Sequence, residues 1–223
     1  MYQIAIDGPS GAGKSSLAKA LAKRLGFIYV DTGALYRTIG YYVAQSGGDT
    51  EKACDVIARL PEISLMLAYE NGTQTVILNG ENVGDKIRTP EASMHASNVS
   101  KIPEVRAFLL DTQRDIAKKN SVIMDGRDIG TVILPNADVK IFLVSSFETR
   151  AARRVKELKE KGMDATYEEV LADMIARDKQ DSTREVAPAV PAADAVHLDN
   201  SALTFEETVE AAMAIISSRT DLV

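Results

Sequence analysis

Short apolar segments of strand length punctuate this chain, separated by longer stretches in which apolar residues recur every three or four positions. The segments are Gln3–Asp7, Phe27–Val30, Val122–Asp125, Val139–Val144 and Ala195–Leu198. Their continuous apolar centres suit strands buried on both faces. The first intervening stretch carries Leu17, Ala18, Leu21, Ala22 and Leu25 at helical spacing and meets a stop at Gly26. Strand and helix signals that alternate in this way predict an α/β fold, a five-stranded parallel sheet flanked by helices with right-handed crossovers. The last helix opens at Thr204-Phe205-Glu206-Glu207, a capping box, and runs to about Ser218.

The rhythm breaks between Pro61 and Pro90. Ile63–Leu67, Thr75–Leu78 and Glu81–Val83 are separated by Asn71-Gly72 and Asn79-Gly80. Asn-Gly between short apolar runs is the strongest local hairpin signal, so a small antiparallel meander is predicted as an insertion. It is either a surface elaboration or a subdomain that shapes a ligand crevice at the strand C-terminal edge.

Bulk properties narrow the field. With 223 residues, 45% hydrophobic and 26% charged, the chain can form one large domain or a core with a small insertion. The net charge of −6 argues against general nucleic-acid binding. The single cysteine, Cys54, cannot form an internal disulfide and is expected to be a small buried side chain. No apolar run approaches the ~20 residues of a membrane span. The chain enters its first strand without a basic leader, so a cytoplasmic location is expected. Nothing demands a dimer, and a monomer is the expectation. His95 and His197 read as structural, the methionines as packing, and no Cys/His spacing suggests zinc.

The chemistry begins at Gly8-Pro9-Ser10-Gly11-Ala12-Gly13-Lys14-Ser15, which follows the pattern G-x-x-x-x-G-K-[ST]. Glycines let successive N–H groups curl around an anion, Lys14 can reach the β- and γ-phosphates, and the Ser15 hydroxyl can hold Mg²⁺. An apolar run enters the loop and a helical pattern leaves it, so the helix dipole lies behind the anion site. ATP is the expected ligand of Gly8 through Ser16.

Arginines decide what happens to a bound triphosphate. Thr32 and Arg37 follow the second strand, in Asp31-Thr32-Gly33-Ala34-Leu35-Tyr36-Arg37. Asp125-Gly126-Arg127-Asp128 follows the third strand at the same sheet edge. Arg150, Arg153 and Arg154 lie on neighbouring faces of a helix after the fourth. The stretch from Arg177 to Arg184 reads as charged and flexible, and it ends at Ala187-Pro188. Planar guanidinium forks suit phosphate oxygens. A phosphate acceptor, largely dianionic at pH 7, needs no general base but does need its repulsion from the γ-phosphate cancelled with water excluded. That predicts a closing lid. A kinase for another small acceptor and a nucleotide-dependent switch are the rivals. A hydroxyl acceptor would want a general base and fewer arginines, and a GTP switch would carry an N-K-x-D reader, which the sequence lacks.

Four segments, Gly8–Ser16, Asp31–Arg37, Asp125-Gly126-Arg127-Asp128-Ile129-Gly130-Thr131 and Arg184-Glu185-Val186-Ala187-Pro188, resemble the motifs of the bacterial cytidylate kinase family. Ala192-Ala193-Asp194-Ala195 and the meander do so as well, and the likeness covers essentially the whole chain in order. Thr32 stands where many members carry serine and keeps the hydroxyl; Ser182 stands where some carry another arginine. The resemblance implies transfer of the ATP γ-phosphate to CMP or dCMP on a P-loop NTPase core at 1–36 and 98–223. It also implies a lid at about 146–188 and a nucleoside-monophosphate region at 37–97 with the insertion at about 61–89. Carried over, Lys14, Arg127, Arg153 and Arg184 are catalytic. Thr32, Arg37, Arg127 and Arg184 hold the CMP phosphate, Ser97, Arg106 and Asp128 read cytosine, and Arg177 and Asp181 address the sugar. Arg150, Arg153 and Arg154 belong to the lid helix that answers ATP, while Ser15 and, through water, Asp125 hold Mg²⁺. Without the resemblance, Ser97 and Arg106 read as helix-surface positions in the run from Ser97 to Asn120.

Overall fold

A computed structural model describes residues 1–70, 73–160 and 162–222; the expected Asn71-Gly72 turn lies outside the described residues. In chain order the elements are β1 (Gln3–Asp7), α1 (Lys14–Leu25), β2 (Ile28–Asp31), α2 (Thr32–Gln45), α3 (Ala53–Arg59), β3 (Leu65–Glu70), β4 (Thr73–Leu78) and β5 (Glu81–Asn82). They continue with α4 (Pro90–Val99), α5 (Pro103–Lys119), β6 (Val122–Gly126), β7 (Val139–Val144), α6 (Phe147–Glu160), α7 (Tyr167–Thr183), β8 (Val196–Asp199) and α8 (Phe205–Arg219). A π-helical turn, Ile129–Ile133, lies between β6 and β7. The five-stranded parallel sheet runs β2-β6-β1-β7-β8, and a separate antiparallel sheet runs β3-β4-β5. The alternating pattern therefore gave the predicted architecture, insertion included.

Backbone contacts divide the chain into two compact units, Ile28–Val122 and Tyr2–Phe27 with the chain from Ile123 onward. In the first unit, α2 buries Leu35, Ile39 and Val43 against Val56, Val76, Leu78, Val99, Val105 and Leu109. Asn79 and Gly80 both take left-handed backbone (φ 49° and 86°), as the hairpin turn requires. The Asn79 side chain also accepts from the Ser64 N–H at 2.7 Å, which pins the turn to the start of the hairpin. In the second unit, α6 and α7 pack through Ala151, Leu158, Val170 and Met174.

Three sequence expectations change. Cys54 is exposed, because the short α3 buries only the stripe through Val56 and Cys54 lies on its far side. The stretch from Arg177 to Thr183 is helical rather than a flexible segment. A reciprocal capping box between Thr166 and Glu169 starts α7, and Val170, Met174 and Asp181 give it a buried side. The run from Ser97 to Asn120 is two helices, broken before Pro103, and Arg106 is buried rather than on a helix surface.

Helix α2 crosses α4 at Gly40, where a Cβ would lie 2.6 Å from the His95 Cβ and 2.9 Å from its carbonyl carbon. Gly40→Ala should therefore force the two helices apart. The expected cost of about 1–3 kcal/mol for overpacking outweighs the gain in helix propensity and lowers the melting temperature by several degrees. A variant that melts at or above the parent temperature would show that the crossing has room.

Candidate active site

The phosphate loop sits at the C-terminal end of β1. Gly8, Gly11 and Gly13 all have positive φ (147°, 73° and 93°). A Cβ on Gly8 would lie 2.1 Å from the Leu143 carbonyl oxygen, so no other residue fits between β1 and β7 there. Gly13 is the N-cap of α1 and brings no side chain to the first-turn N–H groups. Those donors, with the helix dipole behind them, suit an anion.

The loop's carbonyls are held by side-chain donors. The Lys14 ammonium donates to the Pro9 carbonyl at 2.6 Å, Arg150 Nη1 to the Ser10 carbonyl at 2.9 Å, and Asn200 Nδ2 to the Ala12 carbonyl at 3.0 Å. Burial, followed by the nearby Arg127 guanidinium, pushes the Lys14 ammonium down from its usual range to about 7. A phosphate beside it would restore the charge. Ser15 donates to Asp125 Oδ2 at 2.7 Å. A hydroxyl with a carboxylate behind it is an all-oxygen pair of the kind Mg²⁺ uses when it keeps its waters and binds phosphate oxygens.

Beyond the loop, guanidiniums gather around one carboxylate of α7. Asp181 Oδ2 accepts from Arg127 Nε at 2.8 Å, and Asp181 Oδ1 lies 3.8 Å from Arg184 Nη1. Burial works to raise the Asp181 carboxyl, but the charges of Arg127, Arg184 and Arg177 outweigh it and hold it below the usual range. Arg184 also reaches Asp128, with Nη2 to Oδ1 at 3.5 Å, and donates from Nε to the Ala187 carbonyl at 2.7 Å. Arg177 is lowered by burial and by the like charge of Arg127. A cavity of about 540 Å³ opens among Arg127, Arg150, Asp178, Asp181, Phe142 and Phe147, within the range of a nucleotide-sized ligand.

The three arginines of α6 do different things. Arg150 is buried, donates to the Ser145 and Ser10 carbonyls, pairs with Asp178 at 2.6 Å and lies over the Phe147 ring. Asp178 in turn accepts from the Ser10 N–H at 3.2 Å. Arg153 meets the Asn200 side chain and carbonyl at 3.4 and 3.2 Å. Arg154 pairs with Glu157, its neighbour on α6.

Within the unit Ile28–Val122, Asp31 organises the other candidates. It caps α2 by accepting from the Ala34 N–H, and its second oxygen holds Arg37 at 2.7 Å. Gln74 of β4 clamps the Asp31 backbone from both sides, an unanticipated role. Thr32 is buried at the start of α2. Arg106 donates to the Ser100 carbonyl at 3.1 Å and lies 5.4 Å over the Tyr36 ring, while Ser97 is on α4. Asp178, Asn200 and Gln74 went unnoticed in the sequence because their partners lie 168, 188 and 43 residues away.

Only a polyphosphate ligand uses a glycine loop, a desolvated lysine and gathered guanidiniums together, and the class these define is the phosphate-loop kinase. Comparison supplies the family. A sequence profile described as cytidylate kinase matches residues 4–218, and the chain belongs to that family. The cytidylate kinase of Thermosipho melanesiensis is 46% identical over 220 residues, covering 99% of each chain. That of Caldicellulosiruptor saccharolyticus is 49% identical over 207 residues, covering 93% of this chain and 92% of its own. The crystal structure of an uncharacterized protein from Eubacterium ventriosum superimposes with a TM-score of 0.52 at 14% identity, over 98% of this chain and 99% of that one. This last likeness speaks to the fold alone.

The Arg150–Asp178 pair is largely buried, so removing one partner strands the other. Asp178→Ala or Arg150→Met alone should cost about 3 kcal/mol in urea unfolding, and the double variant no more than the worse single one. Additive losses would mean that the two side chains act separately.

Proposed function

We propose that this chain transfers the γ-phosphate of ATP to CMP or dCMP, giving ADP and CDP or dCDP. Membership of the cytidylate kinase family, joined to a phosphate loop whose donors face an anion site, carries this reading. Lys14 bridges to the β- and γ-phosphates, and the N–H groups from Gly11 to Ser16 cradle them. The Ser15 hydroxyl and, through water, Asp125 would hold Mg²⁺, which neutralises charge on the phosphate oxygens when it is bound with ATP. Arg153 and Arg154 answer the phosphates of ATP from α6, and Arg150 acts from the same helix through the loop carbonyl it holds.

The acceptor reading follows its charge. The second pKa of a phosphate monoester is about 6, so CMP attacks as a dianion and needs no base. What it needs is alignment and charge neutralisation, which fall to Thr32, Arg37, Arg127 and Arg184. Arg177 and Asp181 address the sugar. For the base, cytosine offers an N4 donor beside N3 and O2 acceptors. Asp128 accepts from N4, Arg106 donates to N3 and O2, and Ser97 completes the edge. Uracil reverses the polarity at positions 3 and 4 and would leave a buried carboxylate facing an acceptor.

ADP release with Mg-ATP and CMP, dCMP, UMP, AMP, GMP or shikimate tests the reading. Rapid turnover is expected with CMP and dCMP alone; ATP consumption independent of any acceptor would overturn the proposal. Asp128→Asn should lower the CMP-to-UMP ratio of kcat/KM by about tenfold or more, with ATP binding little changed. An equal loss for both acceptors would remove Asp128 from base reading.

A further inference from the structure

We infer that Asp7 is a positioning residue for base selection: it fixes the turn that presents Asp128 and so sets the discrimination between cytosine and uracil. The inference rests on the reading of Asp128 given above.

Asp7 is the last residue of β1 and only 4% exposed. Its Oδ1 accepts from the Ile129 N–H at 2.8 Å and its Oδ2 from the Gly130 N–H at 2.7 Å. Those are the first two N–H groups of the π-helical turn Ile129–Ile133. An N-cap side chain accepts from the second or third N–H of the turn it starts and cannot reach the first. Asp128 occupies the N-cap here, with φ −144° and ψ 28°, and its side chain makes no cap hydrogen bond. Asp7 holds the first N–H, and the second with it, from 122 and 123 residues away in the chain. The Asp128 carboxylate is thereby turned from the turn toward Arg184 and kept 3% exposed.

The approach is close on every side. A Cβ on Gly130 would lie 3.0 Å from the Lys140 Cδ and 3.4 Å from Asp7 Oδ2. Burial raises the Asp7 carboxyl to about 6 against the opposing pull of both backbone donors, so this group is held in a place that disfavours its charge. A side chain so placed governs the backbone of Asp128 without touching a ligand.

Asp7→Asn separates this role from mere support. The amide can accept one N–H but sets its own NH₂ against the other, so the turn loosens. The expected result is a fall of about tenfold in the CMP-to-UMP ratio of kcat/KM, in which any effect through Lys14, whose charge Asp7 also supports, cancels because both acceptors share the same ATP. Both acceptors are read on the same preparation, so the ratio does not depend on how much of it folds. Asp128→Asn is measured alongside, with the double variant. If the double variant discriminates no worse than Asp128→Asn, Asp7 acts through Asp128, as inferred. If Asp128→Asn lowers the ratio and Asp7→Asn does not, the inference is wrong while the reading of Asp128 stands. If neither lowers it, both fail. Should Asp7→Asn not fold, Asp7→Ser leaves a single short acceptor for the two N–H groups, and an unchanged ratio there overturns the inference.

Discussion

Everything in the larger unit turns on the direction in which the peptide groups of one loop point. The carbonyls of Ser10 and Ala12 are taken by donors from outside the loop, Arg150 and Asn200, while Lys14 of the loop motif itself holds that of Pro9. A peptide plane with its carbonyl fixed outward has its N–H directed the other way. The bonds to Ser10 and Ala12 thus direct the N–H groups of Gly11 and Gly13 before any anion arrives, which removes ordering entropy from the binding step, while the Ser10 N–H is taken by Asp178. Gly8 makes this possible by letting β1 pass against the Leu143 carbonyl, where any side chain would collide.

Preorganisation of this kind has an electrostatic cost, and the structure shows where it is carried. Lys14 is buried deeply enough to lose its ammonium near neutral pH. Asp181 is buried yet ionised, because Arg127, Arg184 and Arg177 surround it. Asp181 is a charge removed from water and compensated by neighbours, whereas Lys14 is left short of compensation until an anion supplies it. A phosphate that enters such surroundings exchanges one set of anionic partners for another, with little rearrangement of the cations. That is the setting in which fixed dipoles and charges stabilise a transferring phosphoryl group most effectively.

The sequence showed the parts of the fold that depend on local chemistry. Strand runs, the glycine loop, the capping box at Thr204 and Glu207 and the turn at Asn79-Gly80 all form where their residue types predict. The helical character of Arg177–Thr183 was also legible, in Thr166 and Glu169, but the charge density of the stretch outweighed that signal. Cys54 misled because residue type alone suggested burial, whereas a seven-residue helix offers a single buried stripe. Asp7, Gln74, Asp178 and Asn200 were opaque for a different reason. Each is an ordinary polar residue whose role is a bond to backbone remote in the chain. Periodicity cannot reveal such a bond, and only the fold brings its partners together.

The same distinction separates the three arginines of α6, which look equivalent in sequence. Arg150 is itself buried and satisfied by two carbonyls, a carboxylate and an aromatic face, so recruiting it to a ligand would strand several partners at once. Arg153 holds Asn200 through two long bonds, and releasing it leaves groups that a phosphate-bound water can serve. Arg154 is paired with Glu157, a partly exposed neighbour on the same helix, an interaction worth at most about 1 kcal/mol. The ease of releasing a guanidinium to an incoming anion therefore rises from Arg150 to Arg153 to Arg154. Helix α6 carries both ends of that series. An arginine too firmly held to leave keeps the loop in shape, and arginines loosely enough held to move meet charge as it develops.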